Sequence, residues 1–496
     1  MPDTANRRDC GADAAPVDRK IHCPIISVAP EVKQVSDMNK HSGNELVDKH
    51  RTTIDSPHRI RSSAWWTLIS LLCLSGSGAY ALPAGLSREE QRIVAAAAAE
   101  NERTIALLET LVNINSGTMN FAGVERVGQI MTVQLQPLGF TTRWQPMSAI
   151  GRAGHVIAEH HGSGHGKRLL LVGHVDTVFE QDSPFQHYER RGNTAEGPGV
   201  NDMKGGLAVM VGALRALQSA GALKDVEVTI VLDGDEENAG SPHSVSRADL
   251  LEAAKHSDVA LEFEALVTVD GHDMGSVSRR GDVGWTLRTS AKSGHSSAIF
   301  SAAAGFGASY ELSRILDTFR RELPEPNATL NVGLMLSGAS AVLNAETTGG
   351  SASGKTNVIP AQGLARGDLR TLSNEQTAKL VARMRAIVAD HLPGTDAVIE
   401  FDERYPAMAP TPGNRALLAR LNEINAALGL EQMAELDPLK RGAGDISFVA
   451  DKLDALVGFG AAGQGAHAPG ETADLSSVDR QITRAALLIE RLSRAR

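Results

Sequence analysis

Arg168-Leu169-Leu170-Leu171-Val172-Gly173-His174-Val175-Asp176 is the stretch on which the reading of this chain turns. Its unbroken apolar run has the length of a strand buried on both faces, and it ends in a histidine and an aspartate two residues apart. Val226-Glu227-Val228-Thr229-Ile230-Val231-Leu232 and Val259-Ala260-Leu261-Glu262-Phe263 read as further strands. Leu207, Met210, Val211, Leu214 and Leu217 repeat at helical spacing between the first two, and an amphipathic stretch from Ser87 to about Val112 precedes them all. Strands separated by helices predict an α/β fold with a mixed, largely parallel sheet covered on both faces. Ligands of such sheets collect at the carboxyl ends of the strands.

From Ser276 to Arg404 the order changes to strand (285–290), helix (302–321), strand (329–336), strand (363–370), helix (375–391) and strand (397–404). This β-α-β-β-α-β order predicts a small domain inserted into the larger one, whose own signals resume from Pro412 to Arg496. The expected organisation is a leader at 1–81, a catalytic domain at 82–275 and 405–496, and the insertion at 276–404. Gly349-Gly350-Ser351-Ala352-Ser353-Gly354 reads as a flexible loop.

The chain has 496 residues, enough for roughly two or three domains. With 42% hydrophobic and 22% charged residues it falls in the range of soluble globular proteins. A net charge of -10 and the absence of a basic stripe argue against nucleic acid as a partner. Residues from 1 to about 60 are polar and without periodicity. After them His58-Arg59-Ile60-Arg61, the apolar run Ala64–Leu74 and Ala79-Tyr80-Ala81 have the three parts of a secretory signal, with cleavage expected after Ala81. That predicts a secreted or periplasmic protein, with start at Met38 or an uncleaved anchor at 64–81 as alternatives. Cys10, Cys23 and Cys73 all precede Ala81, so a thiolate is neither nucleophile nor metal ligand in the mature chain.

Histidines and carboxylates recur where strands end. His174 closes the first strand, with Asp176 placed to orient its ring. Gly197-Pro198-Gly199-Val200-Asn201-Asp202-Met203-Lys204-Gly205-Gly206 delivers Asp202 at the start of a helix. Asp233-Gly234-Asp235-Glu236-Glu237 caps the second strand with acids whose repulsion is costly unless cations or solvent neutralise it. Glu262 and Glu264 end the third strand on one face, and His467 follows the apolar strand Ala455–Phe459. Each alone has a plainer reading: a hydrogen-bonded strand-end histidine, a helix N-cap, a solvated acidic turn. Together, imidazole and carboxylate are what zinc takes when thiolates are absent.

In the order H-x-D, G-P-G-x-x-D-M-K-G-G and D-E-E, these residues resemble the zinc-dependent peptidase and deacylase family of glutamate carboxypeptidase, succinyl-diaminopimelate desuccinylase, acetylornithine deacetylase and aminoacylase. The likeness runs from about Leu86 to the C-terminus. It implies a zinc-peptidase catalytic domain with an inserted lid or dimerisation domain, and two zinc ions, for which cobalt can substitute. His174, Asp202 and Glu264 would hold one ion, and Asp202, Glu237 and His467 the other. Glu262 is the alternative to Glu264, and Glu236 matches the family's general base. The likeness further implies that His295, in Ser293-Gly294-His295-Ser296, stabilises the oxyanion, often across a dimer. Asn357, in Thr356-Asn357-Val358-Ile359-Pro360, would hydrogen-bond substrate, and Arg370 would grip its carboxylate. Gly442 and Gly444 would let a loop approach the ligand, with Asp445 orienting it.

Bacterial glutamate carboxypeptidases of the folate-hydrolysing type match best, which makes glutamate the expected leaving group. Where those enzymes show an arginine before a proline, this chain has Arg404-Tyr405-Pro406. Expected partners are therefore a small substrate (an N-acyl amino acid, a folate-like molecule or a short peptide) and a second copy of the chain. The alternatives are a deacylase of N-acyl amino acids or a dipeptidase, which would keep the metal residues, and a non-catalytic binding protein, which would be expected to lack Glu236 or a ligand.

Overall fold

The computed structural model describes residues 85–402 and 405–495. The expected leader, with the three cysteines, and Arg404 lie outside the described residues.

Among the described residues the largest sheet has six strands. In spatial order they are Thr141–Pro146, Gly154–His160, Val228–Asp233, Leu169–His174, Val259–Glu262 and Asp454–Val457. The first two pairings are antiparallel and the last three parallel. The sheet is thus mixed and largely parallel, and its four parallel strands finish on one side. Alternation sorts the strands' side chains: Leu169 and Leu171 join one apolar core, Leu170 and Val172 another. On the first face lie the helices Arg88–Val112, Lys204–Ser219 and Ser476–Arg494. The Arg88 helix starts at a capping box, in which Ser87 Oγ accepts from Glu90 N (3.2 Å) while Glu90 accepts from Ser87 N (2.7 Å). No helix among the described residues is long and apolar enough to cross a membrane.

Between Glu262 and Asp454 the chain builds a second sheet. Its strands Thr329–Gly338, Gln362–Thr371, Gly281–Ala291 and Thr395–Phe401 lie in that spatial order, all antiparallel. Helices Ala308–Glu322 and Asn374–Ala389 pack on it around Trp285, Phe319 and Met384. Two expectations need correction. The helix expected from 302 begins at Ala308, because Gly305 (φ 67°) and Gly307 (φ 79°) hold left-handed backbone just ahead of it. The expected flexible loop at 349–354 contains a strand, Gly350–Ser353, paired with Ser340–Leu343. Its small side chains give no burial signal, and backbone pairing forms it; the turn is closed by Asn344, whose N donates to Gly349 O (3.0 Å) and whose Oδ1 accepts from Gly349 N (3.1 Å).

Candidate metal centre

The four parallel strand ends bring the cluster together. His174 ends the central strand, and its Nδ1 lies 3.1 Å from the Asp176 carbonyl and 3.3 Å from Asp176 Oδ1. Nε2 faces Asp202 Oδ1 at 3.2 Å and Glu264 Oε1 at 3.9 Å. Asp202 presents its other oxygen, Oδ2, to His467 Nε2 at 3.1 Å, and Glu237 Oε2 approaches the same nitrogen at 3.2 Å. One carboxylate therefore stands between two imidazoles. His467 reaches this position from left-handed backbone (φ 67°), a costly conformation for a side-chain-bearing residue that is found where function demands it.

Two buried carboxylates hold the cluster from outside. Asp176 accepts from Glu236 N and Glu237 N, each at 3.1 Å, and from Thr118 Oγ1 at 2.6 Å. It thus orients a histidine and a turn, and its place is behind the cluster rather than among the reacting groups. Glu471 accepts from the backbone N–H groups of Gly199 (3.1 Å), Asn201 (2.7 Å) and Asp202 (2.9 Å), which fixes the loop carrying the shared carboxylate.

The donors fit a cation. Among the described residues, ligand atoms of His174, Asp202 and Glu237 all lie within 4.8 Å of one another, and Glu237 Oε1 is buried with no hydrogen-bond partner. The electrostatics point the same way. Hydrogen bonds to Asp202 and Glu237 push the His467 imidazole up to about 11, so the position calls for positive charge. Burial pushes the Asp202 carboxyl up, but hydrogen bonds from His174 and His467 outweigh it and hold the group well below the usual range.

Glu262 and Glu264 separate clearly. Glu262 spends both oxygens on protein, accepting from Ile446 N (2.9 Å) and Arg279 Nη1 (2.6 Å). Glu264 receives Arg279 Nη1 at 3.2 Å and faces the cluster. Arg279 also donates to the carbonyls of Gly442 and Ala443, tying this strand end to the 440s loop.

Glu236 and Glu264 open on a cavity of about 500 Å³ whose wall includes Arg370, Tyr405, Lys440 and Arg441. Burial, followed by nearby acids, pushes the Glu236 carboxyl well above the usual carboxylate range despite His174. Arg441 is buried, its Nε and Nη2 make no hydrogen bond, and the Glu264 carboxylate lies 3.8 Å from Nη2. By contrast Arg370 Nε already donates to Asp368 at 3.0 Å. Gly442 lines the cavity, yet a Cβ there would meet nothing. The close approach that requires glycine is at Gly444, where a Cβ would overlap the Arg279 guanidinium. Asp445 is buried away from the ligand space, 2.7 Å from Arg247 Nε.

His295 and Asn357 are not brought to this cluster within one chain. Both are exposed on the inserted segment, where their loops pair: Ser296 N donates to Asn357 O at 2.9 Å, and His295 Nδ1 lies 2.8 Å from Ser297 Oγ. Arg279, Arg441 and Glu471 escaped the sequence reading. Arg279 and Arg441 sit in short basic pairs at segment junctions, with no period to mark them, and Glu471 acts through backbone brought close only by folding.

Imidazoles and carboxylates converging on a place for positive charge, beside a cation-walled cavity, define a metal-dependent hydrolase. The chain belongs to the peptidase family M20/M25/M40, whose profile matches residues 170–491. It is 27% identical over 427 residues to carboxypeptidase G2 of Pseudomonas sp. (strain RS-16), across 83% of this chain and 95% of that one. It is also 27% identical over 379 residues to succinyl-diaminopimelate desuccinylase of Granulibacter bethesdensis, across 73% and 91%. Among solved structures its fold is shared by a dinuclear metal binding peptidase of Bacillus subtilis, with a TM-score of 0.55 and 16% identity over 79% of this chain and 99% of that one.

Proposed function

We propose that the chain is a two-zinc carboxypeptidase that hydrolyses the amide bond to a C-terminal amino acid, glutamate foremost, in N-acyl or folate-like substrates. The observation that carries this reading is Asp202, whose two oxygens face two different histidines, with Glu236 beside them on the cavity. His174, Asp202 and Glu264 would hold one ion, and Asp202, Glu237 and His467 the other, with cobalt as a substitute. When bound, such a pair supplies Lewis acidity toward water and the scissile carbonyl. Glu236 takes a proton from the attacking water on its carboxylate and returns it to the leaving amine nitrogen. Burial raises the affinity of this carboxyl for protons, which suits its holding the proton until the amine leaves. Asp176 keeps Glu236 and His174 in register.

Arg441 is the stronger candidate for the substrate carboxylate. Its buried, unbonded nitrogens lack an acceptor that a carboxylate would provide in two parallel hydrogen bonds, whereas Arg370 is partly occupied by Asp368. Lys440 adds further positive charge to the wall, which suits a second carboxylate such as that of glutamate. The similarity to carboxypeptidase G2 supports this choice. A deacylase is the second reading, supported by the similarity to a succinyl-diaminopimelate desuccinylase. An intact Glu236 and ligand set count against a binding protein without turnover.

The oxyanion donor in this proposal is His295 of a second copy, with Asn357 beside it, because one chain leaves both away from its own cavity. Export through the segment ahead of Ala81 completes the reading. Profiling hydrolysis of N-acyl-glutamate, N-acyl-leucine, N-succinyl amines and simple dipeptides tests it: preference for acyl-glutamate is expected, and indifference to the glutamate side chain would overturn the specificity.

A further inference from the structure

Tyr405 stands where the inserted segment returns to the large sheet. Its backbone carbonyl accepts from Asp282 N at 2.9 Å, so the segment's entry and exit are joined at this residue. Its ring packs on Phe448 and His243, with centroids 5.3 and 5.9 Å away. Its hydroxyl reaches under the acidic turn, 2.6 Å from the main-chain carbonyl oxygen of Glu236 and 3.0 Å from Arg247 Nη2.

The direction of these two bonds is fixed by chemistry. A guanidinium has donors and no acceptor, so Arg247 can only donate to the phenol oxygen. The single phenol proton is therefore left for Glu236 O. Arg247 cannot turn away, because it is fully buried and its Nε and Nη1 are bonded to Asp445 (2.7 Å) and Asp235 Oδ1 (2.5 Å). On the opposite side of the same residue, Asp176 accepts from Glu236 N and Glu237 N. Glu236 is thus pinned by both its N–H and its C=O. One pin comes from the central strand end, and the other from the chain crossing that carries the inserted segment.

We propose that Tyr405 is a positioning residue that sets where Glu236 stands and couples that position to the crossing between the large sheet and the inserted segment. It touches no reacting atom in this role. The inference rests on Glu236 being the proton shuttle, and it gives a use to the position at which this chain carries tyrosine before Pro406.

Tyr405→Phe keeps the ring contacts and removes only the phenol bond. Two measurements on the full chain test it. Steady-state kinetics on N-acyl-glutamate should show kcat reduced roughly tenfold with KM within about twofold, as expected when a reacting group is held slightly off position. Amide hydrogen exchange should quicken at Glu236 and Glu237 while the Val228–Leu232 core keeps its wild-type protection. Unchanged kcat, unchanged exchange at those two amides, or exchange raised equally along Val228–Leu232 would each overturn the proposal. A wild-type chain that hydrolyses none of the substrates tested would refute the functional reading instead, and the exchange result would then decide on Tyr405 by itself.

Discussion

The cluster at the strand ends and the loops carrying His295 and Asn357 are built in opposite ways. At the strand ends His174, Glu237 and Glu264 leave from parallel strands, and buried carboxylates lock the segments around them: Asp176 beneath the 236–237 turn, Glu471 beneath the Asp202 loop. Little can move without breaking a buried hydrogen bond to a charged group, which costs more than an ordinary one. The His295 loop has no such lock. Its histidine bonds to a neighbouring serine on an exposed surface and meets no group of the cluster. One chain thus assembles the strand-end cluster and keeps His295 apart from it, and on the proposed reading the oxyanion donor comes from a second copy.

The largest expected effect tests the locked region. Glu236→Gln should lower kcat by roughly 10²- to 10⁴-fold while leaving metal content unchanged, because it removes acid-base catalysis alone. Retained activity would take away its role as base. The next tests the contrast itself. His295→Ala should lower kcat by about 10²- to 10³-fold, as loss of an oxyanion donor does elsewhere. Mixing those chains with Glu236→Gln chains should restore part of the activity, since one site of each mixed pair would regain both groups. No recovery on mixing would break the account of a second copy.

A smaller effect separates the two cavity arginines. Arg441→Met should raise KM for acyl-glutamate about 10-fold or more, in line with the roughly 1.5–3 kcal/mol of a charged hydrogen bond. Arg370→Met should raise it less, because Asp368 already engages that side chain. Equal effects would put Arg370 back in the leading place.

The smallest effect lies beneath the cluster. Burial pushes the Asp233 carboxyl up to about 7, even though the Arg247 guanidinium lies 3.8 Å away. Between the ordinary carboxylate range and that value the folded chain binds a proton that the unfolded chain has released, so this contribution to stability is full below the ordinary range and declines as pH rises toward 7. Asp233→Asn should flatten that part of the stability curve in urea titrations between pH 4 and 7. An unchanged slope would show that Asp233 does not titrate there.

The strands were legible in the sequence because burial on both faces writes continuous apolar runs, and the cluster was legible because the ends of those runs carry histidines and acids. Glu262 and Glu264 share a face, so alternation left both open and only the family resemblance favoured Glu264; in the fold Arg279 and the Ile446 amide occupy Glu262. Arg441 was invisible for a different reason: a cation in a loop reads as solvated, and only its burial without hydrogen bonds gives it meaning. The Gly350–Ser353 strand was missed because its stability lies in backbone pairing, which residue type does not record.

Metal analysis combined with chelation tests the central claim most directly. The purified chain should hold about two zinc or cobalt ions, lose hydrolysis of N-acyl-glutamate on exhaustive chelation, and regain it when either metal is returned. A metal-free chain that keeps its activity would contradict the account.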